Sequence, residues 1–182
     1  PDKKVYAVGD EAKRYSFMQD SVMDTVESET FANALSIVLD TSAKFLISDT
    51  RYTDAAATLR FDHHLFVEKI CDVEVIDTSR ESCCGLITAF ALQSDWKFSP
   101  VAAQSLFTGM VTDSGRFRYD ATTPETFRLA AMLLEQGFDI NDVYSPLYAD
   151  DFDMIKLRAQ FVLEIKFTAN NVAYIYTDKQ RI

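Results

Sequence analysis

Two adjacent histidines and three aspartates are the residues of this chain that could do metal chemistry. The chain has only two histidines, and both lie in the triplet Asp62-His63-His64. If the backbone stays extended there, the two imidazoles point to opposite sides, so one can bind a metal ion while the other faces a substrate. Asp62 could hold an imidazole in one tautomer from behind. A solvated polar turn is the alternative interpretation of the triplet alone.

Asp40 and Asp113 are the other candidate ligands. Asp40 follows the most hydrophobic predicted strand, and taken alone that position favours a turn or capping aspartate. Asp113 follows an apolar helix, and Arg116 and Arg118 come soon after it in a chain of net charge −10. Arginine suits bidentate phosphate binding, while carboxylates and imidazoles suit Mn²⁺ or a similar ion. Two such ions could activate water for attack on a phosphoester.

These side chains need strands that end at one edge of a sheet. Short apolar segments at 35–39, 58–61 and 73–76 end at Asp40, Asp62 and Asp77, and a further strand is predicted at 4–8. In open α/β sheets, ligands bind just beyond the carboxyl ends of the strands. The pattern therefore predicts a parallel sheet whose edge carries the candidate site.

Helices are predicted between and after these strands. Residues 82–93 carry apolar side chains at helical spacing, and Ser99-Pro100 and Thr123-Pro124 are typical helix starts, with Gly137 as a stop. A short helix at 139–148, an amphipathic helix at 151–165 and a hairpin at 166–176 follow. The predicted fold class is α/β, a Rossmann-like parallel sheet with flanking helices, followed by the start of a second α/β domain.

Composition narrows the classes of protein. The chain has 182 residues, 48% of them hydrophobic, which suits one main domain and part of another. Cys71, Cys83 and Cys84 are expected to be reduced thiols in a cytoplasmic protein, because their number and spacing suggest no disulfide framework. No signal peptide or membrane span is recognised, and no G-x-G-x-x-G turn supports a dinucleotide-binding redox domain.

Taken in order, the motifs resemble those of the DHH-family phosphoesterases. Asp40-Thr41-Ser42, Asp62-His63-His64 and the run from Thr112 to Phe117 are similar to successive motifs of that family. The last run is most similar to the nanoRNase/pAp phosphatase branch, whose pattern there is T-D-T-G-R-F. The resemblance covers nearly the whole chain.

The resemblance implies a role for each residue. Asp40 would bridge two Mn²⁺ ions, and His63 and Asp113 would complete the shell of the second ion, with Mg²⁺ or Co²⁺ as alternative metals. His64 would contact the scissile phosphate, and Asp62 would support the histidines. The substrate contacts would be Arg116 and Arg118.

The chain also departs from the family pattern. The family's first motif, H-x-x-x-D-x-D, and its Gly-Gly-Gly-His motif are absent, and Glu81-Ser82-Cys83-Cys84 replaces a Ser-Ser-Thr type run. The strand at 4–8 would match the family's second strand. The resemblance therefore implies a DHH catalytic domain without its first strand at 1–149, a connecting helix at 150–166 and the start of a substrate-binding domain at 167–182.

The function implied by the resemblance is hydrolysis of short oligonucleotides or of 3′-phosphoadenosine 5′-phosphate (pAp), by water that two metal ions activate. One alternative is a cyclic di-AMP phosphodiesterase of the same family. Another is a truncated, inactive core that binds only metal or nucleotide. The expected partners are a nucleotide substrate and a second copy of the chain in a homodimer, with no membrane.

Overall fold

The structure is a computed structural model that describes residues 3–19, 21–94, 96–149 and 151–179. The chain divides into two compact units, Pro1–Leu147 and Tyr148–Ile182. Positions 1, 150 and 182, at which predicted domains begin or end, lie outside the described residues.

A parallel three-stranded sheet forms the centre of the first unit. Its strands are β1 (Leu35–Leu39), β2 (Ala57–Asp62) and β3 (Val73–Ile76), in the order β1-β2-β3. Because the strands are parallel, their carboxyl ends meet at one edge, where β1 runs into Asp40 and β2 ends at Asp62. The predicted α/β class with a parallel sheet is confirmed.

Among the described residues, four α-helices follow the sheet, and α2 and α3 begin where the predicted capping residues place them. They are α1 (Cys83–Gln93), α2 (Pro100–Asp113), α3 (Pro124–Leu134) and α4 (Asn141–Tyr148). The side chains of Ser82, Ser99 and Thr123 accept hydrogen bonds from backbone N–H groups in the first turns of α1, α2 and α3. Short 3₁₀ helices lie at Lys13–Tyr15, Ser28–Asn33, Lys44–Leu46 and Thr50–Asp54. Among the described residues, no helix has the length and hydropathy needed to cross a membrane.

The sheet has a helical face and an irregular face. On the helical face, Phe61 of β2 packs with Cys83 and Leu86 of α1, and α2 and α3 pack on α1 in turn. On the other face, Val38 of β1 packs with Tyr52 and with residues of the loop before β3. This second face is where the side chains of Arg60 and Asp62 are buried. The sheet is therefore covered by helices on one face and by loop residues on the other.

The predicted strand at 4–8 is wrong, because residues 3–8 contain no strand. The backbone contacts found there join Ala7 to Asp24: the Ala7 N–H donates to Asp24 Oδ2 at 2.8 Å, and the Asp24 N–H donates to Ala7 O at 2.6 Å. A β-strand needs a run of backbone partners along a neighbouring strand. The apolar alternation at 4–8 supplies side chains for a strand but no such neighbour within the described residues.

In the residues of the second unit that the structure describes, there are one complete helix and one hairpin. Helix α5 (Phe152–Leu163) begins after Asp151, whose side chain accepts from the Asp153 N–H at 2.7 Å. Strands β4 (Lys166–Phe167) and β5 (Ala173–Tyr174) pair antiparallel. Asn171 turns between them with φ of 59°. The predicted helix and hairpin are therefore both present, with narrower bounds than the sequence indicates.

Candidate metal centre

Two strand ends and one helix end bring four predicted site residues together. Asp40 directly follows β1, His63 and His64 directly follow β2, and Asp113 is the last residue of α2. His63 Nε2 lies 3.0 Å from Asp113 Oδ2 and 3.4 Å from Asp40 Oδ1. One ligand atom each from Asp40, His63 and His64 lie within 4.8 Å of one another. Residues up to 73 positions apart in the sequence therefore form one cluster.

The ring of His63 is oriented by a backbone carbonyl. Its Nδ1 lies 3.1 Å from the carbonyl oxygen of Arg80, which can only accept a hydrogen bond. Nδ1 therefore carries a hydrogen, and Nε2 faces the carboxylates of Asp40 and Asp113. Within the described residues, Nε2 is buried and makes no hydrogen bond.

This arrangement fits a divalent cation. A neutral imidazole nitrogen and two carboxylate oxygens are all acceptors, so they repel one another unless a cation or a proton lies between them. Ligand atoms about 2.1 Å from an ion in octahedral geometry are about 3 Å apart. The distances from His63 Nε2 to Asp113 Oδ2 and Asp40 Oδ1, 3.0 and 3.4 Å, are close to this value. Burial and the charge of Asp40 raise the pKa of Asp113, and His63 opposes that shift. Asp40, His63 and Asp113 are thus suitable ligands for a metal ion.

His64 is held by Asp62 on the other side of the cluster. Asp62 is fully buried, and its Oδ1 accepts from His64 Nδ1 at 2.7 Å and from the His64 backbone N–H at 3.2 Å. The hydrogen bond to Asp62 raises the pKa of His64. Burial would raise the pKa of Asp62, but hydrogen bonds from Arg60 and His64 outweigh it and lower that pKa. The His64 side chain is half exposed, so its free edge is available to a ligand.

The backbone is strained at two of the predicted site positions. Asp40 has φ of 55°, and Arg116 and Phe117 have φ of 66° and 61°. Non-glycine residues seldom adopt this left-handed conformation, and such strain concentrates at functional sites. The turn at 114–117 is fixed locally, because the Phe117 N–H donates to Ser114 Oγ at 2.8 Å and the Arg116 N–H donates to Val111 O at 2.8 Å.

Of the two predicted phosphate-binding arginines, Arg116 lies in this turn and Arg118 directly follows it. Both are exposed, and Arg118 Nε donates to Gly115 O at 3.0 Å. A pocket of about 300 Å³ opens beside Asp40 and Asp113, but neither arginine lines it. The structure therefore places Arg116 and Arg118 next to the cluster in the chain and outside the lining of this pocket.

Sequence reasoning missed several residues that shape this region. Arg14 and Tyr15 line the pocket together with Cys84, and the carbonyl of Arg80 fixes His63. A carbonyl contact leaves no signal in residue type. Arg60, in contrast, could have been noticed in the sequence, because it is a charged residue in an apolar strand. It comes two positions before Asp62 and therefore lies on the same side of that strand.

Comparisons with known proteins give relatives along the whole chain. No family model matches. The chain is 30% identical over 185 residues to the Bacillus subtilis protein named bifunctional oligoribonuclease and PAP phosphatase NrnA, with 100% of the chain and 58% of that protein covered. It is 33% identical over 175 residues to a Streptococcus mutans protein named "Probable bifunctional oligoribonuclease and PAP phosphatase NrnA", with 96% of the chain and 56% of that protein covered.

A solved structure gives the same fold. An exopolyphosphatase-related protein from Bacteroides fragilis superposes with a TM-score of 0.69 at 25% identity, covering 78% of this chain and 44% of that one. The chain spans somewhat more than half the length of the curated relatives that it matches, 58% and 56%. The resemblance seen in the motifs is confirmed to this extent: along 96–100% of its length, the chain is similar to proteins named as bifunctional oligoribonucleases and PAP phosphatases, and over 78% of its length its fold is similar to that of an exopolyphosphatase-related protein.

Proposed function

We propose that the full-length gene product is a Mn²⁺-dependent phosphoesterase that hydrolyses short oligoribonucleotides and pAp. The observation that carries this proposal is the position of His63 Nε2. This atom is buried, has no hydrogen-bond partner in the part of the chain that the structure describes, and lies 3.4 and 3.0 Å from the carboxylates of Asp40 and Asp113. The names of the relatives supply the substrate class. The proposal extends to two Mn²⁺ ions per active site.

Each member of the cluster has a distinct task in this proposal. Asp40, His63 and Asp113 would hold the metal, which when bound polarises a phosphoryl oxygen and acidifies a bound water. The Arg80 carbonyl keeps the lone pair of His63 directed at the metal position. Asp62 keeps the Nδ1–H of His64 engaged, so the opposite edge of that half-exposed ring is left for the phosphate. Arg116 would bind a phosphate of the nucleotide.

Metal binding and hydrolysis test the proposal in sequence. Calorimetry should show Mn²⁺ binding to the wild type, and hydrolysis should be assayed with Mn²⁺ on pAp, a diribonucleotide and cyclic di-AMP. Asp40→Ala and His63→Ala should each abolish hydrolysis and weaken Mn²⁺ binding, because each removes one converging ligand. Asp142→Asn, at an exposed carboxylate in the first turn of α4, is the matched control.

The results separate the alternatives. Hydrolysis retained in Asp40→Ala or His63→Ala would overturn the assignment of these ligands. Cleavage of cyclic di-AMP in preference to pAp and the diribonucleotide would replace the proposed substrates with a cyclic dinucleotide. Mn²⁺ binding without hydrolysis of any of the three would favour a protein that binds metal or nucleotide without turnover.

A further inference from the structure

A fully buried arginine lies on the central strand of the sheet, two residues before Asp62. Arg60, on β2, has an exposed fraction of 0%. Taking a guanidinium out of water costs several kcal/mol, and a well-packed apolar side chain is often as stable in such a place. A buried arginine among apolar strands is therefore explained poorly by stability alone, and its contacts indicate another role.

Arg60 bridges two acidic side chains. Its Nη2 donates to Asp62 Oδ2 in a short contact, and its Nη1 lies 3.3 Å from Glu74 Oε1 and 3.2 Å from the carbonyl oxygen of Glu68. The register of the sheet explains this geometry: Arg60 lies opposite Glu74 of β3, and Asp62 is two residues further along β2, on the same side. Glu74 is itself held, because its Oε1 accepts from the Ile70 and Cys71 N–H groups at 2.8 and 3.2 Å.

The contact with Arg60 determines what the other oxygen of Asp62 can do. With Oδ2 occupied by the guanidinium, the plane of the carboxylate is fixed and Oδ1 faces His64. An ionised carboxylate only accepts, so the ring nitrogen that meets it must carry the hydrogen. Without Arg60, nothing would hold Oδ2, so the carboxylate could turn and Oδ1 would no longer be fixed against His64 Nδ1.

We propose that Arg60 is a positioning residue that acts through Asp62 to fix the ring orientation and the Nδ1–H tautomer of His64. The catalytic consequence of this role rests on the proposed function, whereas the structural consequence does not. The effect is selective for one histidine. His63 takes its orientation from the carbonyl of Arg80, which is not part of the contacts of Arg60.

Nitrogen-15 spectra of the imidazole rings test the structural part directly. The chain has two histidines, so the spectrum contains two rings, which His63→Gln assigns. At about pH 9, where histidine is neutral, the wild type should show His64 in the Nδ1–H form. Arg60→Met should shift His64 toward the Nε2–H form or a mixture of both, and leave His63 unchanged. Arg51→Met is the matched control, because it removes another arginine that pairs with a nearby aspartate, Asp49.

Arg60→Met leaves two carboxylates without their counter-ion and could fail to fold. Arg60→Met combined with Glu74→Gln keeps the net charge of this buried network at the wild-type value, so it is the second variant. A folded variant of either kind with the His64 tautomer of the wild type would overturn the proposal. So would a change that affects both histidines equally, since that indicates a general loss of structure.

Kinetics of the full-length gene product test the catalytic part. In the double variant, kcat on pAp should fall about 10- to 100-fold, the usual effect of losing a partner behind a functional histidine. The dissociation constant for Mn²⁺ should change less than about twofold, because the metal ligands are held by other contacts. An unchanged kcat, or an equal loss of Mn²⁺ affinity, would contradict the positioning role. If the wild type hydrolyses nothing, the proposed function fails while the spectra still decide whether Arg60 orients His64.

Discussion

The acceptor atoms of the candidate metal centre repel one another unless a cation lies between them. His63 Nε2 lies 3.4 Å from the carboxylate of Asp40 and 3.0 Å from the carboxylate of Asp113. Burial and the negative charge of Asp40 raise the pKa of Asp113, which means that the ionised form of Asp113 is disfavoured at this place. A divalent ion would resolve this repulsion by replacing a proton with two positive charges. The residue types alone indicated this chemistry, but the direction of the His63 lone pair needed the position of the Arg80 carbonyl.

Whether Arg116 binds a phosphate of the substrate can be tested by kinetics. We expect Arg116→Ala to lower kcat/KM about tenfold or more on pAp, because a charge-assisted hydrogen bond to phosphate is lost. The loss on a generic phosphodiester such as bis(p-nitrophenyl) phosphate should be smaller, since that substrate lacks the second phosphate. Arg128→Ala, at an exposed arginine of α3, is the control. Equal losses on both substrates would argue against a nucleotide contact.

The close approach of α1 and α2 determines where Asp113 lies, because Asp113 is the last residue of α2. At Gly109, a Cβ atom would lie 2.2 Å from Cys84 Sγ, so the two helices can touch only because this position lacks a side chain. Cys84 is partly buried, and the burial of its thiol, with the nearby charges of Asp40 and Asp113, raises its pKa to about 12. The thiol is therefore protonated and serves as packing between the helices.

Gly109→Ala tests this helix contact. In an open helix the change would stabilise by about 1 kcal/mol, but here we expect a loss of about 1–3 kcal/mol from overpacking. Mn²⁺ affinity should fall as well, because α2 must move away from α1 and carries Asp113 with it. Urea unfolding and calorimetry measure the two effects. Cys84→Ala in the same chain removes the clashing sulfur and should restore both; a Gly109→Ala protein as stable as the wild type would refute the account.

The elements that could be predicted are those whose signals are local. A capping residue lies next to the helix that it starts, and an apolar run is itself the strand that it predicts. The helices after Ser82, Ser99 and Thr123 and the strands β1 and β3 form as expected. The strand at 4–8 failed because pairing depends on a neighbour elsewhere in the fold. The bridge from Arg60 to Glu74 escaped prediction for a related reason: it depends on the register of β2 against β3, which a pattern within one strand does not contain.

Across the whole first unit, buried carboxylates connect elements that are distant in sequence. Glu81, which is 4% exposed, accepts from Thr126 Oγ1 at 2.9 Å and from Ser82 Oγ at 3.0 Å, so it joins the starts of α1 and α3. Glu74 joins β3 to Arg60 of β2 and to the preceding loop. In a chain of net charge −10, each such carboxylate must find its own donors inside the fold, since the surface as a whole repels negative charge. The stability of the unit should therefore depend on the ionised form of Glu74, whose pKa is lowered.

The pH dependence of stability tests this for Glu74. Burial would raise the pKa of Glu74, but hydrogen bonds from Ile70, Cys71 and Arg60 outweigh it and lower that pKa below its ordinary value of 4.5. A carboxyl with a lowered folded-state pKa stabilises the fold above its unfolded-state pKa, and this contribution is lost as the pH falls through the folded-state pKa. Glu74→Gln should therefore lower the free energy of unfolding by about 1–3 kcal/mol at neutral pH. Below the unfolded-state pKa, the difference between wild type and variant should shrink steadily, as urea unfolding from pH 7 downward would show in steps of about half a unit. Two curves that stay parallel to acid pH would mean that Glu74 stabilises the sheet by packing rather than by its charge.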